Sequence, residues 1–164
     1  MELTGIFGKT LPNVTKEENK MANNESIFRT EQAVVDEFKE NEHKLVKKVC
    51  DYLMQQYYKP DMKMVDFYAQ IDCKLRIAPD TMKKLLRRTT TTISREMLYK
   101  IAVGTGMDIE TANSFFVMSR GGELNSKSLN DLLVKNALLD HDSIDDFIEE
   151  YREKAGKNIG GNVK

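Results

Sequence analysis

The chain has 164 residues, of which 40% are apolar and 31% charged, with a formal net charge of −1 and no tryptophan. That length suits one compact domain with a core plus a tail and is too short for two ordinary domains. No apolar run approaches the roughly 20 residues needed to cross a bilayer, so a membrane-spanning role is excluded and a globular protein is expected.

The start, Met1 to Lys9, has neither a basic region nor an unbroken apolar stretch, so no signal peptide is read there and a cytoplasmic location is expected. Residues 1–40 carry Pro12, several asparagines and Lys16-Glu-Glu-Asn-Lys20, with only Ile27, Val34, Val35 and Phe38 in apolar spacing. A mobile arm followed by a short helix is expected. From Glu42 to Tyr58, Leu45, Val46, Val49, Leu53, Met54 and Tyr57 recur at intervals of three and four, which predicts a helix with one buried stripe and a lysine-bearing outer face. Lys59-Pro60-Asp61 ends it, and Asp61 or Asp66 is a candidate cap for the next.

That next helix, Asp66 to Leu75, offers Phe67, Tyr68, Ile71 and Leu75 to a core and stops at Arg76-Ile77-Ala78. Pro79 suits the first turn of a helix because its missing N–H has no partner there, so Pro79 to Arg88 is predicted helical, with Met82, Leu85 and Leu86 inward. The β-branched run Thr89 to Thr92 predicts a turn. Ser94 then caps a helix ending at Gly104-Thr-Gly106, and Asp108 opens one lined by Ala112, Phe115, Phe116 and Met118 and closed by Gly121-Gly122. Ser126 and Ser143 start helices to Leu139 and Lys154, and about the last twelve residues are expected to fray. No stretch alternates as a strand, so the fold class is all-α, a compact bundle of about seven short helices.

Charge is unevenly placed. In residues 74–100, Lys74, Arg76, Lys83, Lys84, Arg87, Arg88, Arg95 and Lys100 face only Asp80 and Glu96, which gives this window +6 and the remainder −7. Clustered cations around a short helix point to phosphate contact. In a helix-turn-helix, apolar positions lock the second helix at the angle the major groove requires, and Ile71, Leu75, Ile77, Met82 and Leu85 fit that pattern. The outward residues Thr81, Lys83, Lys84, Arg87 and Arg88, with Arg95 on the following helix, are the candidate DNA-binding residues.

Over roughly Glu42 to Tyr151 the chain resembles the phage-repressor (Cro/repressor, XRE-like) helix-turn-helix family, in particular its small members from Gram-positive bacteria and their phages. Ile77-Ala-Pro-Asp-Thr-Met-Lys-Lys-Leu85 resembles the family's turn and recognition helix, and Ile93 to Ala102 the helix that follows. Gly122-Glu-Leu-Asn-Ser-Lys-Ser128, Asp131 and Tyr151 are similar to a helical extension some members carry. Asp72 stands where the family commonly has alanine, and Arg76 where it has glycine in the turn.

A disordered tail is expected at 156–164, and the resemblance implies a helix-turn-helix core at 41–107 with an extension packed on it at 108–155. It also implies transcriptional regulation through double-stranded DNA, by a homodimer reading half-sites about 34 Å apart. The alternative is a protein-binding module, such as a phage-encoded inhibitor of a host nucleic-acid enzyme, whose basic face meets an acidic partner.

Catalysis is not expected, because neither His43 nor His141 sits beside a predicted nucleophile or phosphate loop. No metal or cofactor is expected either: two cysteines and two histidines show no paired ligand spacing, and Cys50 and Cys73 read as buried thiols.

Overall fold

The computed structural model describes residues 30–87 and 92–160, together with the backbone of two strands, β1 (Leu3–Thr4) and β2 (Phe7–Lys9). The chain divides into two compact units, Met1–Glu37 and Phe38–Lys164. Within the first, β1 and β2 pair antiparallel, a minimal ribbon that the residue pattern does not predict. Otherwise the described residues form an all-α fold of seven helices: α1 (Gln32–Tyr57), α2 (Met64–Leu75), α3 (Pro79–Leu86), α4 (Arg95–Thr105), α5 (Ile109–Phe116), α6 (Leu129–Asp140) and α7 (Ile144–Ala155).

Helix α1 starts ten residues before the predicted helix and joins the expected short helix to it. Its added turns bury little and carry i,i+4 pairs such as Gln32 with Asp36 and Lys44 with Glu40, which apolar spacing does not report. It ends before Lys59-Pro60, as expected. No carboxylate caps α2: Lys63 stands at its N-cap without a side-chain bond, and Asp66 lies inside the first turn.

The serine and aspartate caps of the later helices are direct. Ser94 Oγ accepts from Met97 N, Asp108 Oδ1 from Thr111 N and Ser143 Oγ from Asp146 N, each satisfying a backbone donor left over at a helix start. Helix α6 is capped by Ser128 rather than Ser126. Helix α5 ends at Phe116, before Gly121-Gly122. Of the run Thr89–Thr92, predicted as a turn, Thr89, Thr90 and Thr91 lie outside the described residues, and Thr92 belongs to no helix.

One core of buried side chains draws on α1 through α7 and their connections. Helix α4 is its centre: it packs against α2, α5, α6 and α7 and buries seven consecutive residues, Met97 to Val103. Gly104 lets α2 come close, since a Cβ there would lie 2.4 Å from Leu75 Cδ2 and 2.8 Å from the Lys74 carbonyl oxygen. Gly106, at φ 72°, is the residue that terminates the helix. Cys50 is buried, whereas Cys73 is exposed, against expectation: it sits on the outer face of α2. Nor does the chain fray directly after α7, because Ile159 is buried and Gly160 N donates to Glu96 Oε1.

Candidate nucleic-acid interface

Helix α3 is eight residues long, about 12 Å. Pro79 occupies its first turn and Ala78 its N-cap in an extended conformation, as proline requires of the residue before it. Met82 and Leu85 are fully buried, and Ile77 in the connection before it is equally so; all three share the core with Ile71 and Leu75 of α2, on which α3 packs. Asp80, Lys84 and Arg87, spaced four and three apart, stand on the outer side, with half-buried Thr81 and Lys83 on its flanks. Lys83 Nζ lies over the ring of Tyr68 on α2, 5.6 Å from its centroid.

The connection from α2 to α3 spans residues 76–78. Arg76 takes the left-handed conformation, φ 57° and ψ 41°, the region glycine occupies without steric cost. Its N–H closes α2 on the Asp72 carbonyl. Its side chain forms a two-pronged pair with Asp145 on α7, Nε to Oδ1 at 2.9 Å and Nη2 to Oδ2 at 3.0 Å, and this bonding holds the Asp145 carboxyl below the usual carboxylate range. Lys100 of α4 reaches the same corner from inside. Only 2% exposed, its Nζ donates to the Arg76 carbonyl at 2.8 Å. Burial lowers its pKa to about 8, against the pull of Asp72 and Glu96. The turn is thus held from the solvent side through the Arg76 side chain and from the core side through its carbonyl.

Arg95 departs from its expected place among the DNA-facing cations. Its Nε and Nη2 donate to Asp131 Oδ1 and Oδ2 at 3.1 and 2.8 Å, Nη1 donates to Ser119 Oγ, and the guanidinium lies 5.0 Å from the centroid of Phe116. Asp131, 3% exposed, also accepts from the Tyr99 hydroxyl and from Asn125 N. Burial alone would raise its pKa, but the bonds from Arg95, Tyr99 and Asn125 hold it below the usual value. Burial and the Asp131 bond together push the Tyr99 phenol upward. On the other side of α4, Glu96 accepts from the Tyr151 hydroxyl and from Gly160 N and pairs with Lys157.

Of the eight cations in the basic window, then, Arg76 and Arg95 hold carboxylates of the extension and Lys100 lies in the core. Lys74, Lys83, Lys84 and Arg87 are at least partly exposed, and Arg88 lies outside the described residues. Thr81, Lys83, Lys84 and Arg87 are brought together on one helix; Arg95 is not among them. Spacing alone does not mark Asp131 and Tyr151 as buried anchors of the extension, because their partners lie 32 to 55 residues away along the chain. Among the described residues no group of three His, Cys, Asp or Glu side chains is arranged to hold a metal ion, and no helix is long and apolar enough to cross a membrane. No family model matches the chain, and no curated protein or solved structure is significantly similar to it.

Proposed function

We propose that the protein is a sequence-specific double-stranded DNA-binding regulator that inserts α3 into the major groove. The observation that carries this reading is the division of α3 itself, with Met82 and Leu85 anchored in the core, Lys84 and Arg87 exposed on the opposite side, and half-buried Thr81 and Lys83 flanking them. The left-handed Arg76 supports it, because it gives the connection the conformation that glycine supplies in turns of this type.

Three cations, two exposed and one half-buried, set the scale. Each phosphate neutralised lowers log K by roughly 0.9 per log unit of salt, so Lys83, Lys84 and Arg87 together supply a slope of about −2.7 per subunit. Such a slope describes weak binding at physiological salt for a lone subunit, so specific binding calls for a homodimer on a two-fold site. Asp80, on the same outward side, repels phosphate and is the feature that favours a protein partner instead.

Selection from a pool of random duplexes at two salt concentrations tests the proposal, with the wild type beside a Lys83→Ala/Lys84→Ala/Arg87→Ala variant. Palindromic sites lost in the variant, with the salt slope reduced, are the expected result. Featureless binding that survives the three substitutions overturns it in favour of the protein-binding reading.

A further inference from the structure

Helix α6 is apolar on two opposite sides. Leu133, Val134, Ala137 and Leu138 fill the core, yet Leu129, Leu132 and Leu139 across the helix are 52%, 36% and 64% exposed. At 100° per residue these three leucines and Asn136 fall within an arc of about 80° facing away from the buried side. A helix that is apolar on both sides is normally covered on both. The intervals 129, 132, 136 and 139 are three, four and three, which is the a-d-a-d spacing of a coiled-coil seam, with Asn136 at the second a position. The flanking g and e positions carry Lys135 and Asp140.

We propose that α6 is a dimerisation helix whose outer seam pairs in parallel with α6 of a second copy of this chain. The side chains choose both the partner and the direction. In a parallel pair Leu129, Leu132 and Leu139 each meet their own counterpart, and the two Asn136 amides bond to each other, the arrangement by which one buried asparagine fixes register. Lys135 at g meets Asp140 at the e position of the next heptad in the other copy, and the two-fold axis makes this ion pair twice. Lys135 here bonds to Ser126 Oγ, at the surface, from which it can turn to that partner.

An antiparallel pair that uses the same four positions sets Leu132 against Asn136 and brings the two Lys135 side chains together. A hydrophobic partner of another kind has no reason to present an asparagine at this register. The inference supplies the two-fold symmetry that the DNA reading asks for but does not require that α3 bind DNA, and it is tested without DNA.

Sedimentation equilibrium of the full chain over a range of concentrations is the experiment. The wild type should move between 18.8 kDa and twice that mass. Leu132→Glu/Leu139→Glu should remain monomeric with an unchanged helical circular dichroism spectrum, since both side chains reach solvent. Lys135→Asp alone and Asp140→Lys alone should each weaken self-association by roughly tenfold, and an equal mixture of the two should recover it as a heterodimer with both ion pairs restored. A wild type monomeric at every concentration overturns the proposal, as does a dimer that survives Leu132→Glu/Leu139→Glu. Charge variants that fail to complement each other overturn the parallel arrangement.

Discussion

Asp131→Asn isolates the charge that ties the extension to α4 while leaving volume and shape unchanged. Four donors converge on this carboxylate: Arg95 Nε and the Tyr99 hydroxyl on Oδ1, and Arg95 Nη2 and Asn125 N on Oδ2. An amide offers one acceptor oxygen and one donor group, so either orientation turns an NH2 toward two donors. The less costly orientation sets it at the Oδ1 position, where the Tyr99 hydroxyl can rotate and accept, while Arg95 Nε loses its partner. The guanidinium is then left partly buried beside Phe116 without its counter-charge.

Removing one partner of a buried ion pair costs about 3–5 kcal/mol, and the partial exposure of Arg95 places this case at the lower end, about 3 kcal/mol. That is a large part of the roughly 5–15 kcal/mol that stabilises a whole domain, so the variant should be only marginally stable. Urea unfolding at neutral pH reads the loss directly as a lower midpoint at unchanged slope.

Acid titration of stability adds a signature that packing alone does not produce. The carboxyl of Asp131 is held below its unfolded value, so its contribution is complete above the ordinary aspartate value of 3.8 and is lost as pH falls through the lower folded value. The asparagine variant should lack that part of the acid limb. A variant within about 0.5 kcal/mol of wild type, with the same acid limb, would refute the assignment of Asp131 as the anchor of the extension.

Gly104→Ala sets helix propensity against space: alanine gains roughly 1 kcal/mol in a helix, but a Cβ 2.8 Å from the Lys74 carbonyl oxygen forces α2 and α4 apart, and overpacking costs about 1–3 kcal/mol. A net loss in thermal stability is expected, and a gain would show that α2 is free to yield. Lys100 binds its proton less tightly when folded, so the unfolded chain holds more protons between about pH 8 and the ordinary lysine value of 10.5, and wild-type stability should rise through that window by roughly 1 kcal/mol per pH unit relative to Lys100→Met. Parallel pH curves for the two proteins would contradict this. Arg76→Gly relieves a left-handed side-chain-bearing residue, worth about 1 kcal/mol, and removes an exposed ion pair to Asp145 worth about as little, so chemical denaturation should show a change near zero. A loss above about 2 kcal/mol would mean that the exposed pair contributes far more than pairs of its kind.

What could be read from the sequence divides by range of interaction. Caps are local, and Ser94, Asp108 and Ser143 stand where a serine or aspartate ahead of an apolar run predicts them. The buried stripe of α2 and α3 was legible because Ile71, Leu75, Met82 and Leu85 repeat within a few turns, and Ile77 because an apolar residue between helices has few places to go. Charge was less legible, since a cation does not reveal its partner. Arg95, grouped by position with Lys83, Lys84 and Arg87, pairs with a carboxylate 36 residues away, and Lys100 lies in the core on a carbonyl 24 residues away. A short helix was legible before Glu42 from Val34, Val35 and Phe38, but not its continuity with the helix that follows, because the joining turns are held by exposed polar pairs rather than an apolar repeat.

The position of α4 limits how this molecule can be cut. Its sides are occupied by α2, α5, α6 and α7, and both Arg95 and Glu96 bond to groups beyond residue 118. A fragment ending after α5 would strip α4 of two packing surfaces, expose Met97 to Val103 in part, and leave Lys100 closer to water. A minimal module that carries α3 but stops after α5 is therefore expected to be destabilised: deletion mapping would confuse loss of the core with loss of whichever activity was assayed, whereas point substitutions on the surface separate the two.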